Sequence, residues 1–241
     1  MSCQPLGNVF AMKIYVQQLW RYPVKSMAGE ALETAGINAD GIAGDRLVVV
    51  RGPHGIVTSR TRPGLLGLRA TLSPDGGPLV ENRPAASAEV AAVVAHVAGP
   101  DTQLAILDST ARFDVLPLLV ATDGAIRSFG RDGRRLRPNI VLGGVEGLAE
   151  RDWEGRRLRI GDVVIRLDSL RARCVMTTFH PDTLVQDVDV LRDISARFGG
   201  KLALNSAVEQ PGVIRLGDRA ELLPADAPTA AASRPLRSAT S

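Results

Sequence analysis

The chain has 241 residues, enough for one large β domain or two modest ones with a core that needs no cross-links. Its 24 glycines and 15 prolines favour turns and short strands over a helical bundle, and its two cysteines and three scattered histidines exclude a disulfide scaffold, a four-cysteine zinc ribbon, a cysteine-ligated iron–sulfur cluster and a histidine-rich cage. A net charge of only +3 with 4% aromatic residues leaves no basic, stacking surface, so no nucleic-acid partner is expected.

Residues 1–12 lack a charged, apolar leader and read as a flexible N-terminus, with Met12 an alternative start. Two cysteines and no export signal predict a cytoplasmic location. Lys13 to Trp20 alternates and is rich in Val, Ile and Tyr, which predicts a strand. Leu47 to Val50 is a short apolar strand, and Val57 begins another after the turn at 52–55. Ser73 to Gly77 is a further turn. Ala85 to Ala98 is the clearest helix, with Ser87 near its start and a Gly99-Pro100 stop; His96 reads as a packed or surface residue of it. A second unit begins near 108–114. Val115 to Ala121 is an apolar strand, and Thr122-Asp123 has the chemistry of an N-cap for a short helix through Phe129. Leu136 to Leu142 is a strand opened by a proline. Ile160-Gly161-Asp162 and Leu216-Gly217-Asp218 each end a strand in a tight Gly-Asp turn, echoed at Gly44-Asp45, and all three read as hairpin chemistry. Asp187 to Phe198 is a helix stopped by Gly199-Gly200, and residues 224–241 read as a disordered tail. Parallel βαβ repetition, GxGxxG and the P-loop are absent, which disfavours a nucleotide-binding α/β enzyme. No apolar run reaches the roughly 18 residues of a membrane-spanning helix, so no membrane association is expected.

Three places carry candidate chemistry. Cys174 follows Arg171 and Arg173, and cationic neighbours favour a thiolate, which is both a nucleophile and a soft metal ligand. The same cysteine also reads as a small buried hydrophobe. His180, six residues on, reads as a turn residue, so no Cys–His couple is defined. One cysteine cannot build a metal site from protein ligands, so a metal here takes most of its coordination from a cofactor. Only Lys13, Lys25 and Lys201 are lysines among 29 basic residues. Lys25, beside Ser26, suits a phosphate or another anion, or is a surface loop lysine. Thr58-Ser59-Arg60 follows one strand and Arg137-Pro138-Asn139 opens another, so each sets polar groups at a strand end to meet a polar heterocycle or to build a loop. The remaining arginine clusters, 131–137 and 156–159, read as solvated turns or anion contacts.

Taken in order, YPVKS (Tyr22–Ser26), GDR (Gly44–Arg46), TSR (Thr58–Arg60), RPNIV (Arg137–Val141), RCxxTTxxPDT (Arg173–Thr183) and the closing stretch Asn205–Asp218 resemble the MOSC-domain family over roughly residues 13–223. That family includes the C-terminal part of molybdenum cofactor sulfurase and the mitochondrial amidoxime-reducing component. The resemblance implies a β-rich α+β fold: a MOSC β-barrel domain at 111–223, preceded by a smaller β-barrel domain at 13–110, with a few short helices. It implies the molybdenum cofactor, a pyranopterin phosphate whose dithiolene holds molybdenum. Cys174 is then the metal's protein ligand and the catalytic residue. Lys25, Ser26, Thr58 and Arg60 contact pterin or phosphate, Thr122 meets the phosphate at a helix start, and Arg137, Asn139 and Arg173 hold the cofactor from the second unit. The implied activity is reduction of N-hydroxylated or related N- or S-oxide small molecules. Electrons come from a separate donor protein of the ferredoxin or flavoprotein reductase type, because the four cysteines of a fused ferredoxin are absent. The alternative is a non-redox carrier of cofactor or sulfur, with a persulfide on Cys174. A third reading, an arginine-rich binding module without chemistry, fits the low net charge poorly. No aminotransferase-like desulfurase domain is expected, so a complete cofactor sulfurase is not. His180-Pro181-Asp182-Thr183-Leu184 departs from the Asp-Pro-Asp-Thr-Gly common in relatives, which bears on the substrate-side loop.

Overall fold

In the computed structural model, residues 13–107 and 109–224 are described; the stretches read as a flexible N-terminus and, beyond Pro224, a disordered tail lie outside them, as does Cys3. The first strand, Tyr15–Arg21, buries Val16 and Leu19, a spacing of three that simple alternation cannot place on one face. A register shift between Val16 and Gln18, a β-bulge, supplies the extra residue and turns both side chains inward.

This strand belongs to an eight-stranded sheet in the order Ala220–Leu222, Arg157–Ile160, Val163–Ala172, Lys201–Gln210, Leu118–Thr122, Ile140–Gly143, Tyr15–Arg21, Glu30–Leu32. Ala220 N donates to Ile14 O at 2.8 Å and Val16 N to Asp218 O at 2.9 Å. These bonds join the final strand to the first and close the sheet into a barrel. Its interior is apolar, filled by Val16, Leu19, Val120, Ile140, Leu142, Ile165 and Leu204 among others. Neighbouring strands run antiparallel except Leu118–Thr122 and Ile140–Gly143, a parallel pair. Helix α2 (Asp123–Phe129) lies in the connection between them, so one βαβ unit exists although the sequence has no βαβ repetition.

The first hundred residues are woven into this barrel. Thr34–Asn38 pairs with Gly212–Arg215, and smaller sheets, Gln103–Ile106 with Val48–Gly52 and Gly55–Val57, and Ala70–Leu72 with Pro78–Val80 and Arg83–Pro84, pack with helix α1 (Ala88–Ala98) around a second apolar cluster. The three helices follow local chemistry. Ser87 Oγ caps α1 by accepting from Val90 N, and Val90, Val94 and Ala98 form its buried stripe. Helix α3 (Asp189–Phe198) buries Val190, Ile194 and Phe198 and ends at Gly199 in the left-handed region. Gly124 in the first turn of α2 has a packing reason: a Cβ there would lie 2.4 Å from Val145 O and 2.6 Å from Gly147 O. No helix of the described residues is long and apolar enough to cross a membrane.

Several strand expectations shift for identifiable reasons. The strand expected from Val115 starts at Leu118, because Pro117 has no N–H for the ladder and Val115 is exposed. The strand expected from Leu136 starts at Ile140, behind a 3₁₀ turn at Gly133–Leu136. Val57 ends its short strand instead of beginning it. Of the three Gly-Asp turns, only Gly161-Asp162 makes a hairpin. Gly217-Asp218 and Gly44-Asp45 carry the chain from one sheet to another, because the strands after them pair with Arg157–Ile160 and Gln103–Ile106.

Phe129 is among the largest fully buried side chains and joins α2 to α3 through Leu136, Ile194 and Phe198. Phe129→Ala is expected to cost about 3–5 kcal/mol in urea unfolding.

Candidate active site

Alternation in the barrel strands sends Val120, Ile140 and Leu204 into the core and turns Leu119, Asn139 and Asn205 outward. Segments 22–26, 45–46 and 58–60 pack over that outer face and enclose a cleft. Lys25, Ser26, Thr58, Arg60, Arg137, Asn139, Arg173 and Cys174, residues up to 149 positions apart, all line it.

Thr122 does not. Its hydroxyl accepts from Ala125 N at 3.1 Å as the N-cap of α2 and donates to Glu150 Oε2 at 3.1 Å, fully buried. Both hydrogen-bonding roles of the side chain are satisfied inside the protein. The N-cap reading is right; the phosphate contact has no accessible group to make it.

Cys174 is half-buried, forms no disulfide and precedes a 3₁₀ turn, Val175–Thr178. Thr177 N and Oγ1 both donate to Cys174 O, at 3.0 and 2.8 Å, and Thr178 Oγ1 donates to Val175 O at 2.7 Å. The paired threonines therefore pin the turn that presents the thiol. His180 serves its own turn, Nδ1 accepting from Asp182 N and Thr183 N.

Six cations line the cleft, Lys25, Arg46, Arg60, Arg137, Arg171 and Arg173, against one carboxylate, Asp114. Asp114 takes Lys25 Nζ at 2.9 Å on one oxygen and Arg60 and Arg171, each at 3.0 Å, on the other. Burial pushes its pKa up, but Lys25 and then Arg60 and Arg171 outweigh that and hold the carboxyl below its ordinary value. It is a counter-ion at neutral pH. Asp114 keeps the Arg60 guanidinium charged, helped by the neighbouring Cys174 sulfur. Lys25 also donates to Arg112 O at 2.8 Å.

Arg137 stacks on the Tyr22 ring with its guanidinium carbon 4.2 Å from the centroid, and Arg46 approaches the same ring at 5.1 Å. Tyr22 is fixed by donating its hydroxyl to Pro138 O at 3.1 Å, and burial pushes its pKa up to about 12. Burial pulls Arg137 and Arg173 down to about 10, so both remain cationic at neutral pH. Arg173 Nη2 donates to Leu136 O at 2.7 Å, while its Nε and Nη1 are buried without a partner among the described residues. Asn139 acts differently from the arginines. Its Oδ1 accepts from Leu119 N and Arg46 Nη1, and its Nδ2 donates to Trp20 O, so its amide chiefly clamps three segments together. Ser26, Arg46 and Arg137 hold left-handed backbone, at φ of 76°, 52° and 54°. Such strain clusters where side chains must be aimed.

Asp114, Arg46 and Arg171 are the charged cleft residues the site assignment from sequence missed. Arg171 was visible as a cation beside Cys174 and Arg46 within GDR; Asp114 has no local signal, because its partners lie 54 to 89 residues away. No cluster of three or more His, Cys, Asp or Glu among the described residues could hold a metal ion. The arrangement suits an anionic ligand rich in acceptor oxygens, set beside one thiol.

The MOSC N-terminal beta barrel domain family matches residues 13–113, and the MOSC domain family matches residues 125–221. Mitochondrial amidoxime-reducing component 1 of Mus musculus is 33% identical over 135 residues, covering 48% of this chain but only 39% of that protein. Its Homo sapiens counterpart is 25% identical, over 86% of this chain and 82% of that protein. The solved YUAD protein of Bacillus subtilis has a TM-score of 0.45 and 13% identity, covering 88% of this chain and 96% of its own. The chain belongs to the MOSC-domain family, with a MOSC N-terminal β-barrel domain ahead of its MOSC domain.

Proposed function

We propose that this protein binds the molybdenum cofactor and reduces N-hydroxylated or related N- or S-oxide small molecules, drawing electrons from a separate donor protein of the ferredoxin or flavoprotein reductase type. The observation that carries this reading is Arg173, a half-buried side chain whose Nε and Nη1 are buried with no hydrogen-bond partner among the described residues, beside the thiol of Cys174. Buried guanidinium N–H groups without acceptors are costly, and a ligand with phosphate or pterin acceptors removes that cost. The donor set therefore fits a pyranopterin phosphate.

When bound, the cofactor supplies the two-electron redox chemistry. Cys174 offers the soft protein ligand, in an orientation set by the Thr177 turn. Arg137 and Arg173 hold the pterin and phosphate from the barrel side; Lys25, Ser26, Thr58 and Arg60 hold them from the N-terminal segments. Asn139 positions Arg46 and the barrel strands and leaves the anion to the cations. Asp114 keeps Lys25, Arg60 and Arg171 in place until an anion shares them. The names of the curated relatives, amidoxime-reducing components, support the substrate class.

Elemental analysis of protein from a cofactor-producing host is expected to show stoichiometric molybdenum, and Cys174→Ala to abolish reductase turnover. A metal-free wild type carrying one extra sulfur on Cys174 would overturn this reading in favour of a sulfur carrier. Arg173→Met is expected to leave the cofactor-free chain as stable as wild type or up to about 1–3 kcal/mol more stable, while cofactor retention falls at least about tenfold. Urea unfolding and metal content read the two effects separately. Asp114→Asn is expected to destabilise the cofactor-free chain by about 1–3 kcal/mol at neutral pH. Because the folded carboxyl lies below its ordinary value of about 4, that gap is present above pH 4 and closes as acid protonates Asp114. Urea midpoints across an acid series check the sign.

A further inference from the structure

A second cleft, of about 440 Å³, shares Arg137 and Met176 with the Cys174 cleft. That volume falls within the roughly 300–1,000 Å³ of small-ligand pockets. Trp20 and Phe179 supply partly exposed aromatic walls, while Tyr22, which also lines the cleft, is buried with Arg137 stacked on its ring. Gly29 lies so close to Tyr22 that a Cβ would sit 2.6 Å from the ring, so the wall is packed from behind.

The charges in this cleft are unevenly matched. Arg134 forks onto Asp182 at 2.8 and 2.6 Å and also pairs with Asp132, and Glu30 is paired with Arg21. Arg69, Arg135 and Arg137 line the cleft with no carboxylate bridge among the described residues. The wall at Phe179–Asp182 is held in place from both sides. Leu184 adopts a left-handed φ of 57°, and its side chain packs where Gly67 lacks one, 2.9 Å from the position a Cβ would take. A left-handed leucine persists only where its surroundings enforce it.

We propose that this second cleft binds a flat aromatic or heteroaromatic ring that carries an anionic group. Trp20 and Phe179 take the ring face, and the unbridged arginines take the anion. Two sources share this chemistry: the ring end of the cofactor itself, which rests on the function proposed above, and a free aromatic acid, which does not.

The chain's two tryptophans separate the cleft from the core, since Trp20 lines the cleft and Trp153 is buried in the barrel. Fluorotryptophan-labelled full-length protein, cofactor-free and cofactor-loaded, is titrated with quinaldate and followed by fluorine NMR, with Trp20→Phe assigning the two resonances. Cyclohexanecarboxylate and quinaldamide serve as the non-aromatic and uncharged controls. In cofactor-free protein, quinaldate is expected to move the Trp20 resonance saturably and leave Trp153 in place. Each control is expected to bind about tenfold more weakly. Phe179→Ala and Arg69→Glu, with melting curves showing the fold retained, are expected to weaken quinaldate several-fold, the latter most at low salt. If cofactor loading abolishes the shift, the cofactor's ring occupies the cleft; if the shift persists, a free ligand does. No saturable shift in cofactor-free protein, equal affinity for the controls, or wild-type binding by both variants overturns the proposal.

Discussion

Lys25, Arg60 and Arg171 share the carboxylate of Asp114, and the geometry of the main cleft depends on that shared counter-ion. Two like charges 4 Å apart repel by about 4 kcal/mol at the effective dielectric of a protein surface, so six cations lining one cleft do not gather unaided. Asp114 balances one side. The Tyr22 ring, faced by Arg137 and Arg46, supports the other. Arg173 is left over, half-buried and only partly hydrogen-bonded among the described residues, so the cleft is not a closed salt-bridge network and has donors to spare for an anion.

Holding charges from distant segments at fixed distances needs a rigid frame. The barrel provides it by closing Ile14–Val16 against residues 217–220. The pairing of Thr34–Asn38 with Gly212–Arg215 then ties the N-terminal segments to the last strands of the MOSC domain. Asn139 completes the link, because its one amide joins strand Tyr15–Arg21, strand Leu118–Thr122 and Arg46. The cleft between the two halves is therefore part of one interlocked body.

Backbone strain follows the same logic. Ser26, Arg46, Arg137 and Leu184 are four of the seven non-glycine residues with positive φ among the described residues, and they line or border the two clefts. Each such position costs energy that the interlocked frame supplies, in return for aiming a side chain that an ordinary strand or helix would turn elsewhere.

Local hydrogen-bond chemistry was legible in the amino-acid order. Ser87 and Thr122 as caps, Gly161-Asp162 as a hairpin turn, the threonines behind Cys174 and the arginines before it all act within about four residues, where neighbours in sequence are neighbours in space. The ordered motifs that pointed to the MOSC family are likewise short local stretches. Only the tertiary structure decided which groups remain available. Thr122 looked ready for a phosphate until its hydroxyl met Glu150, 28 residues on, and Asp114 gains its role only because Lys25 reaches it from 89 residues away. Whether a polar group serves a ligand or the fold depends on its partners across the barrel, and those partners are chosen by strand register and chain closure, which no local pattern encodes.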